Sequence, residues 1–118
     1  MYHKTNIKDI RELVCENGFK DNKKSDPSIS VNEEKITEAR DWIRLKLTST
    51  KKINRRAERS YALKKKIEKY LKKLYENKEI SNVSNGDVIV AMWEEGFQIE
   101  QDGIGGVNAY FNISINRR

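Results

Sequence analysis

One cysteine, one proline and one histidine occur in this chain of 118 residues, and aromatic residues make up 8%. A lone Cys15 cannot close an internal disulfide, and a free thiol fits a reducing compartment. One His and one Cys cannot assemble a zinc site of the usual Cys/His type, so no metal is expected. Nucleophilic catalysis finds no partners either. His3 stands in a terminus expected to fray, and Cys15 reads as a small packing residue on a helix. No catalytic residue and no cofactor are therefore assigned. Nothing approaches the ~20 apolar residues that a membrane span needs, so no membrane partner is expected. The longest uncharged stretch, Gly103–Asn116, alternates apolar and polar residues. The opening MYHKTNIKDI lacks the apolar core of a secretory signal, and the expectation is a cytoplasmic protein of the cell that expresses it.

Charge of one sign is missing from a long region. Residues 79–116 hold six acids (Glu79, Asp87, Glu94, Glu95, Glu100, Asp102) and no Lys or Arg. The opposite imbalance lies just before it. Residues 51–73 hold eleven Lys or Arg against Glu58 and Glu68, a local charge of +9, whereas the whole chain carries +6. Cations in such excess cannot all be neutralised by i,i+4 pairing along a helix, and their mutual repulsion is relieved by an anion. Lys51, Lys52, Arg55, Arg56, Arg59, Lys65, Lys66, Lys69, Lys72 and Lys73 are accordingly the candidate contacts for nucleic acid or an acidic partner. Tyr61 follows the three arginines, which suits phosphate contact with some stacking. The plainer alternative is a solvated helix face. For the acidic region, the plainer alternative is attraction to the basic segment inside the fold, and the functional one is a second face for a basic partner.

Periodicity predicts an α+β fold, four helices followed by a C-terminal antiparallel β-hairpin in a single compact domain over 1–118. Residues 1–50 form its helical N-terminal part, 51–78 the basic helix and 79–118 a helix plus the hairpin. The first helix is expected over Asn6–Asn17, with Ile7, Ile10, Leu13 and Val14 on one face and Gly18 ending it. Residues 20–29, with Pro27, read as a loop. Ser30-Val31-Asn32-Glu33 reads as a capping box that opens a second helix, striped by Ile36, Ala39, Ile43 and Leu47 with Trp42 beside it. Residues 48–54 are a basic linker. The third helix starts at Arg55 or Ser60 and runs to Tyr75, its stripe being Leu63, Ile67, Tyr70, Leu71 and Leu74. Ser84-Asn85-Gly86-Asp87 caps the fourth, which ends before Gly96. From Phe97 the period changes to two, with Asp102–Gly106 as the turn. Asn108, Tyr110, Asn112 and Ser114 fall on the expected outer face. Asn108, Tyr110 and Asn112, with Tyr61, are candidate partner contacts. Asp9–Phe19 echoes Asp87–Phe97, both ending in Gly-Phe, and a shared helix stop explains the echo.

Three familiar chemistries fit poorly. A winged helix-turn-helix has the right order of parts, but its recognition helix would be SNGDVIVAMWEE, which has no Lys or Arg to read base edges. Gly103–Gly106 lacks the Lys and the strand-to-helix setting of a phosphate loop. A carboxylate-only, metal-dependent nuclease would need a paired acidic motif, and none stands out; loss of activity in chelator would be its signature.

Residues 53–114 resemble a pattern found in small proteins of phages and other mobile elements. It is carried by Ile53-Asn54-Arg55, Ser60-Tyr61-Ala62-Leu63-Lys64, Ser84-Asn85-Gly86 with Ile89 and Ala91, Gly96-Phe97, and Asn108-Ala109-Tyr110-Phe111-Asn112-Ile113-Ser114. The resemblance covers about the C-terminal half and implies a small accessory protein. In that setting such proteins bind nucleic acid or block a host protein. The expectation is an anti-defence inhibitor of anti-CRISPR type, by context and not by motif, acting on a nucleic-acid-handling host effector or on its nucleic acid. The alternative is a DNA- or RNA-binding regulator of the mobile element.

Overall fold

The computed structural model describes residues 9–20, 30–75, 82–103 and 105–114. Its elements are arranged around the most apolar of the described helices. Asn85–Glu94, here α3, buries Val88, Ile89, Val90, Ala91 and Met92 in succession. A helix that is apolar on all sides needs neighbours on all sides. It has them in α1 (Glu33–Lys46), in α2 (Ser60–Tyr75) and in the two small hairpins. Ile36, Ala39, Trp42 and Ile43 of α1 pack on it, as do Leu63, Ile67 and Leu71 of α2. Each large side chain buried here contributes roughly 1.5–3 kcal/mol.

Three of the four expected helices are present, and the first is not. In the place of a helix over Asn6–Asn17 there is a 3-10 turn at Ile10–Glu12 and an antiparallel pair, β1 (Val14–Cys15) with β2 (Gly18–Phe19). Residues 1–8, Ile7 among them, lie outside the described part. Ile10 and Val14 are buried as the helical spacing demanded, so the apolar positions are right and the backbone differs. Tertiary contact decides this. The turn between β1 and β2 brings the Glu16 and Asn17 carbonyls to the head of α3. There Glu16 O accepts from Gly86 N–H at 3.0 Å and Asn17 O from the Asn85 amide at 3.0 Å. A Cβ on Gly86 would lie 1.8 Å from the Cys15 carbonyl oxygen, so the two backbones meet where no side chain fits. The echo between Asp9–Phe19 and Asp87–Phe97 is thus a likeness of sequence between a hairpin and a helix.

The caps differ in one place. Asn32, not Ser30, caps α1: it is extended, and its Oδ1 accepts from Glu34 and Lys35 N–H at 3.0 and 3.3 Å. The box at α3 forms as expected. Ser84 Oγ accepts from Asp87 N–H at 3.0 Å and the Asp87 carboxylate accepts from Ser84 N–H at 2.9 Å. Its other oxygen accepts from Asn32 N–H at 2.8 Å, so one carboxylate joins the heads of α1 and α3. Burial pushes the Asp87 carboxyl above the ordinary range despite these bonds.

The basic segment is helical from Ser60 onward, whereas 51–59 is a run of bends and turns, and 76–78 lie outside the described residues. The buried stripe of α2 stops at Leu71, and Leu74 in the last turn is 54% exposed. The C-terminal hairpin pairs β3 (Ile99–Gln101) with β4 (Ala109–Phe111), Ile99 opposite Phe111. The 48–54 segment is part of this structure and not a free linker. Ser49 bridges Ile113, Thr50 N–H reaches Asn112 O at 2.8 Å and Asn54 N–H reaches Phe111 O at 2.9 Å. Among the described residues no helix is long and apolar enough to cross a membrane. Among the described residues the architecture is α+β, three α-helices with two small two-stranded antiparallel sheets. That corrects the expectation of four helices and one hairpin.

Candidate nucleic-acid interface

Ion pairs divide the expected basic patch in two. Arg55 Nε donates to Glu100 at 2.6 Å, and Arg59 donates to Asp102 at 2.6 Å while its guanidinium lies 5.7 Å from the Tyr110 ring centre. Asp102 holds the Arg59 pKa above its ordinary value. Lys66 pairs with Glu58, and Lys64 with Glu68 at 3.0 Å. Lys65, Lys69, Lys72 and Lys73 remain. All four are exposed, and none has an ion-pair partner among the described residues. Lys51, Lys52 and Arg56 are also exposed, in the irregular segment before α2.

Helix geometry aligns what remains. At about 3.6 residues per turn, Tyr61, Lys65, Lys69 and Lys72 fall at i, i+4, i+8 and i+11, one ridge along α2 with Lys73 beside it. That ridge lies opposite Leu63, Ile67 and Leu71, whose burial fixes its outward direction. Tyr61 opens it, 50% exposed, with the Lys65 ammonium 5.3 Å and the Lys64 ammonium 5.5 Å from its ring centre. A row of ammonium groups with no ion-pair partner among the described residues and an exposed ring at one end offers phosphate contact and a stacking surface together.

The acidic region behaves differently. Five acids lie in the described part of 79–116, and all are occupied. Asp87 is the cap, Glu94 takes Arg11 at 2.7 Å, Glu95 takes Arg40 and Arg44 at 2.6 and 2.9 Å, and Glu100 and Asp102 take Arg55 and Arg59. Desolvation raises the Glu95 carboxyl, but the hydrogen bonds from Arg44 and Arg40 outweigh it and hold the group below the ordinary range. Arg11 does the same to Glu33 through a 2.7 Å bond. Of the five, only Glu100 and Asp102 meet the basic segment, through Arg55 and Arg59; Glu94 and Glu95 are answered by Arg11, Arg40 and Arg44, outside it.

Asn112 and Asn108 of the hairpin region hold the framework. Asn112 is 6% exposed; its Oδ1 accepts from Gln98 N–H at 2.7 Å and its Nδ2 donates to Thr50 O at 2.7 Å, so it does not stand on an outer face. Asn108 Oδ1 accepts from Asn85 Nδ2 at 2.9 Å. Tyr110 is half-buried beneath Arg59. Ser60 and Asn54 also serve the fold, accepting from Ala109 N–H at 3.0 Å and donating to Ile113 O at 3.0 Å.

Sequence reasoning missed a groove of about 1070 Å³ beside the ridge. Tyr61, Lys64 and Glu68 of α2 form one wall; Asn82, Asn85 and Asn108 belong to the other. Asn17, Asn32 and Lys35 close its end. The signal available was the set of asparagines at element ends, each of which reads locally as a cap or turn residue. Asn85 is buried, 6% exposed. Its Nδ2 is surrounded by the oxygens of Asn17, Val107 and Asn108, which orients the amide and leaves its buried Oδ1 without a donor among the described residues.

No protein-family model, no curated protein and no solved structure matches this chain.

Proposed function

We propose that this chain is a binding protein without catalysis that engages nucleic acid through the α2 ridge. The observation that carries this reading is the sorting of charge. The fold neutralises Arg55, Arg59, Lys64 and Lys66 with its own acids, and Lys65, Lys69, Lys72 and Lys73 stand on one exposed face without an ion-pair partner among the described residues. Unpaired like charges along a helix cost stability, and phosphates relieve that cost. The resemblance to mobile-element proteins supplies the setting, an accessory protein that regulates its element or acts against host defence. In the anti-defence form, the ridge meets the nucleic acid of a host effector or an acidic groove on the effector itself.

A gel-shift titration with duplex DNA, single-stranded DNA and RNA at two salt concentrations tests this. Four phosphate contacts give a log–log salt slope of about −3 to −4. Tight, salt-sensitive binding supports a direct nucleic-acid binder. No binding near physiological salt removes it, and co-purification of an effector through the same lysines would then support the anti-defence inhibitor.

A further inference from the structure

The ridge and the groove share Tyr61 but differ in chemistry. The ridge is cationic. The groove carries Glu16, Glu68 and Asp87 among its lining groups, two of which are already engaged: Glu68 by Lys64 and Val83 N–H, Asp87 by the two helix heads. A phosphate is attracted to the first surface, whereas the acids of the second are set against Lys35 and Lys64 and leave it no cationic excess. Lys64, paired with Glu68, and Lys35 are the groove's cations, and most of the other polar groups lining it are neutral amides and hydroxyls. The Asn17 and Asn82 side chains are exposed and make no hydrogen bond among the described residues, and each amide offers donors and an acceptor. An aromatic face, neutral amide edges within the groove, and a row of lysines alongside for the backbone together suit a nucleotide whose base is free to leave the stack.

We propose that the groove receives an unpaired nucleobase stacked on Tyr61 while the backbone follows Lys65, Lys69 and Lys72, so the protein prefers single-stranded nucleic acid, DNA or RNA, to duplex. This rests on the reading of α2 as a nucleic-acid surface. A duplex keeps its bases paired and stacked, so it meets the ridge alone.

The test is fluorescence anisotropy with one short mixed-sequence oligonucleotide presented as single-stranded DNA, as RNA and as duplex DNA, for the native chain, Tyr61→Ala, Tyr61→Phe and Asn82→Ala. Tyr61 and Asn82 are exposed, and circular dichroism verifies that each variant is folded. Single strands are expected to bind about tenfold tighter than duplex. Loss of one stacked base in Tyr61→Ala lowers single-strand affinity roughly 5- to 100-fold, Tyr61→Phe retains it, and duplex binding is unchanged in both. Asn82→Ala is expected to lower single-strand affinity alone. Equal affinity for strand and duplex, with Tyr61→Ala affecting both alike or neither, overturns the base site and leaves the ridge reading standing. Absence of binding to every form at low salt overturns the nucleic-acid reading itself. The DNA and RNA arms report whether a 2′-hydroxyl is sensed.

Discussion

The region after residue 82 and the outer face of α2 are both rich in charge of one sign, and the molecule treats them in opposite ways. Each acid of the first is met by an arginine or by backbone N–H groups, and several of these contacts span distant parts of the chain: Arg11 to Glu94, Arg40 to Glu95, Arg55 to Glu100. Lys65, Lys69, Lys72 and Lys73 of the second form no ion pair with an acid among the described residues. Charge density in a sequence therefore does not by itself identify a binding surface. A charge that the fold has answered contributes to structure, and a charge left unanswered is available to a partner.

Substitutions separate the two regions, and the largest effect is expected at the joint that holds the answered one together. Gly86→Ala places a Cβ 1.8 Å from the Cys15 carbonyl oxygen. It should cost about 3 kcal/mol or more, read as a lower denaturant midpoint. Converting Lys65, Lys69, Lys72 and Lys73 to Glu should have a comparable effect on binding and none on folding. Nucleic-acid affinity should fall about 100-fold or more. The melting temperature should hold or rise, because repulsion along the helix is relieved. A lowered melting temperature with unchanged binding would reverse the comparison.

Asn112→Ala removes two hydrogen bonds, from Gln98 N–H before β3 and to Thr50 O in the 48–54 segment. About 2 kcal/mol of stability should be lost, with binding by the folded fraction unchanged. Glu95→Gln should cost about 1 kcal/mol at neutral pH and also reshape the acid limb of the stability curve. The arginines hold the Glu95 pKa below its ordinary 4.5, so its contribution is complete above that value and is lost as pH falls through the lowered one. The Asp87 pKa is raised, so its ionisation works the other way, and folding gains as pH falls from that raised value toward the ordinary 3.8. In thermal melts across this range, Glu95→Gln should therefore show a shallower loss on acidification than the native chain. The smallest change is expected for Arg55→Gln, whose side chain is largely exposed although paired; it should cost no more than ~1 kcal/mol and leave nucleic-acid affinity within about twofold.

Most of the residues that carry the mobile-element resemblance prove to be framework. Ser84 caps α3, Asn85 ties the β1–β2 turn to the residues before β4, Gly86 permits the backbone contact, and Ser60, Asn54 and Asn112 join the basic segment to the C-terminal hairpin. Tyr61 differs from them in being exposed without a hydrogen-bond partner among the described residues. That contrast makes it the sharpest single position at which to separate fold from contact.

From the sequence alone, the period of apolar residues determined the three helices and the C-terminal strands, because burial of one face requires that spacing whatever surrounds it. It also determined that α2 carries a lysine face, since the stripe Leu63, Ile67 and Leu71 fixes the opposite side. The hairpin at Val14–Phe19 was not legible: its apolar spacing suits a helix, and contacts with residues some seventy positions away select the strand pair. Nor was it legible which cations are spent, because Arg55 and Arg59 meet Glu100 and Asp102 only when the hairpin folds back on the segment before α2. The groove likewise exists only where the heads of α1 and α3, the β1–β2 turn and α2 come together. Local sequence sets which face of an element is apolar; pairing and cavities arise between elements, and long-range packing decides them.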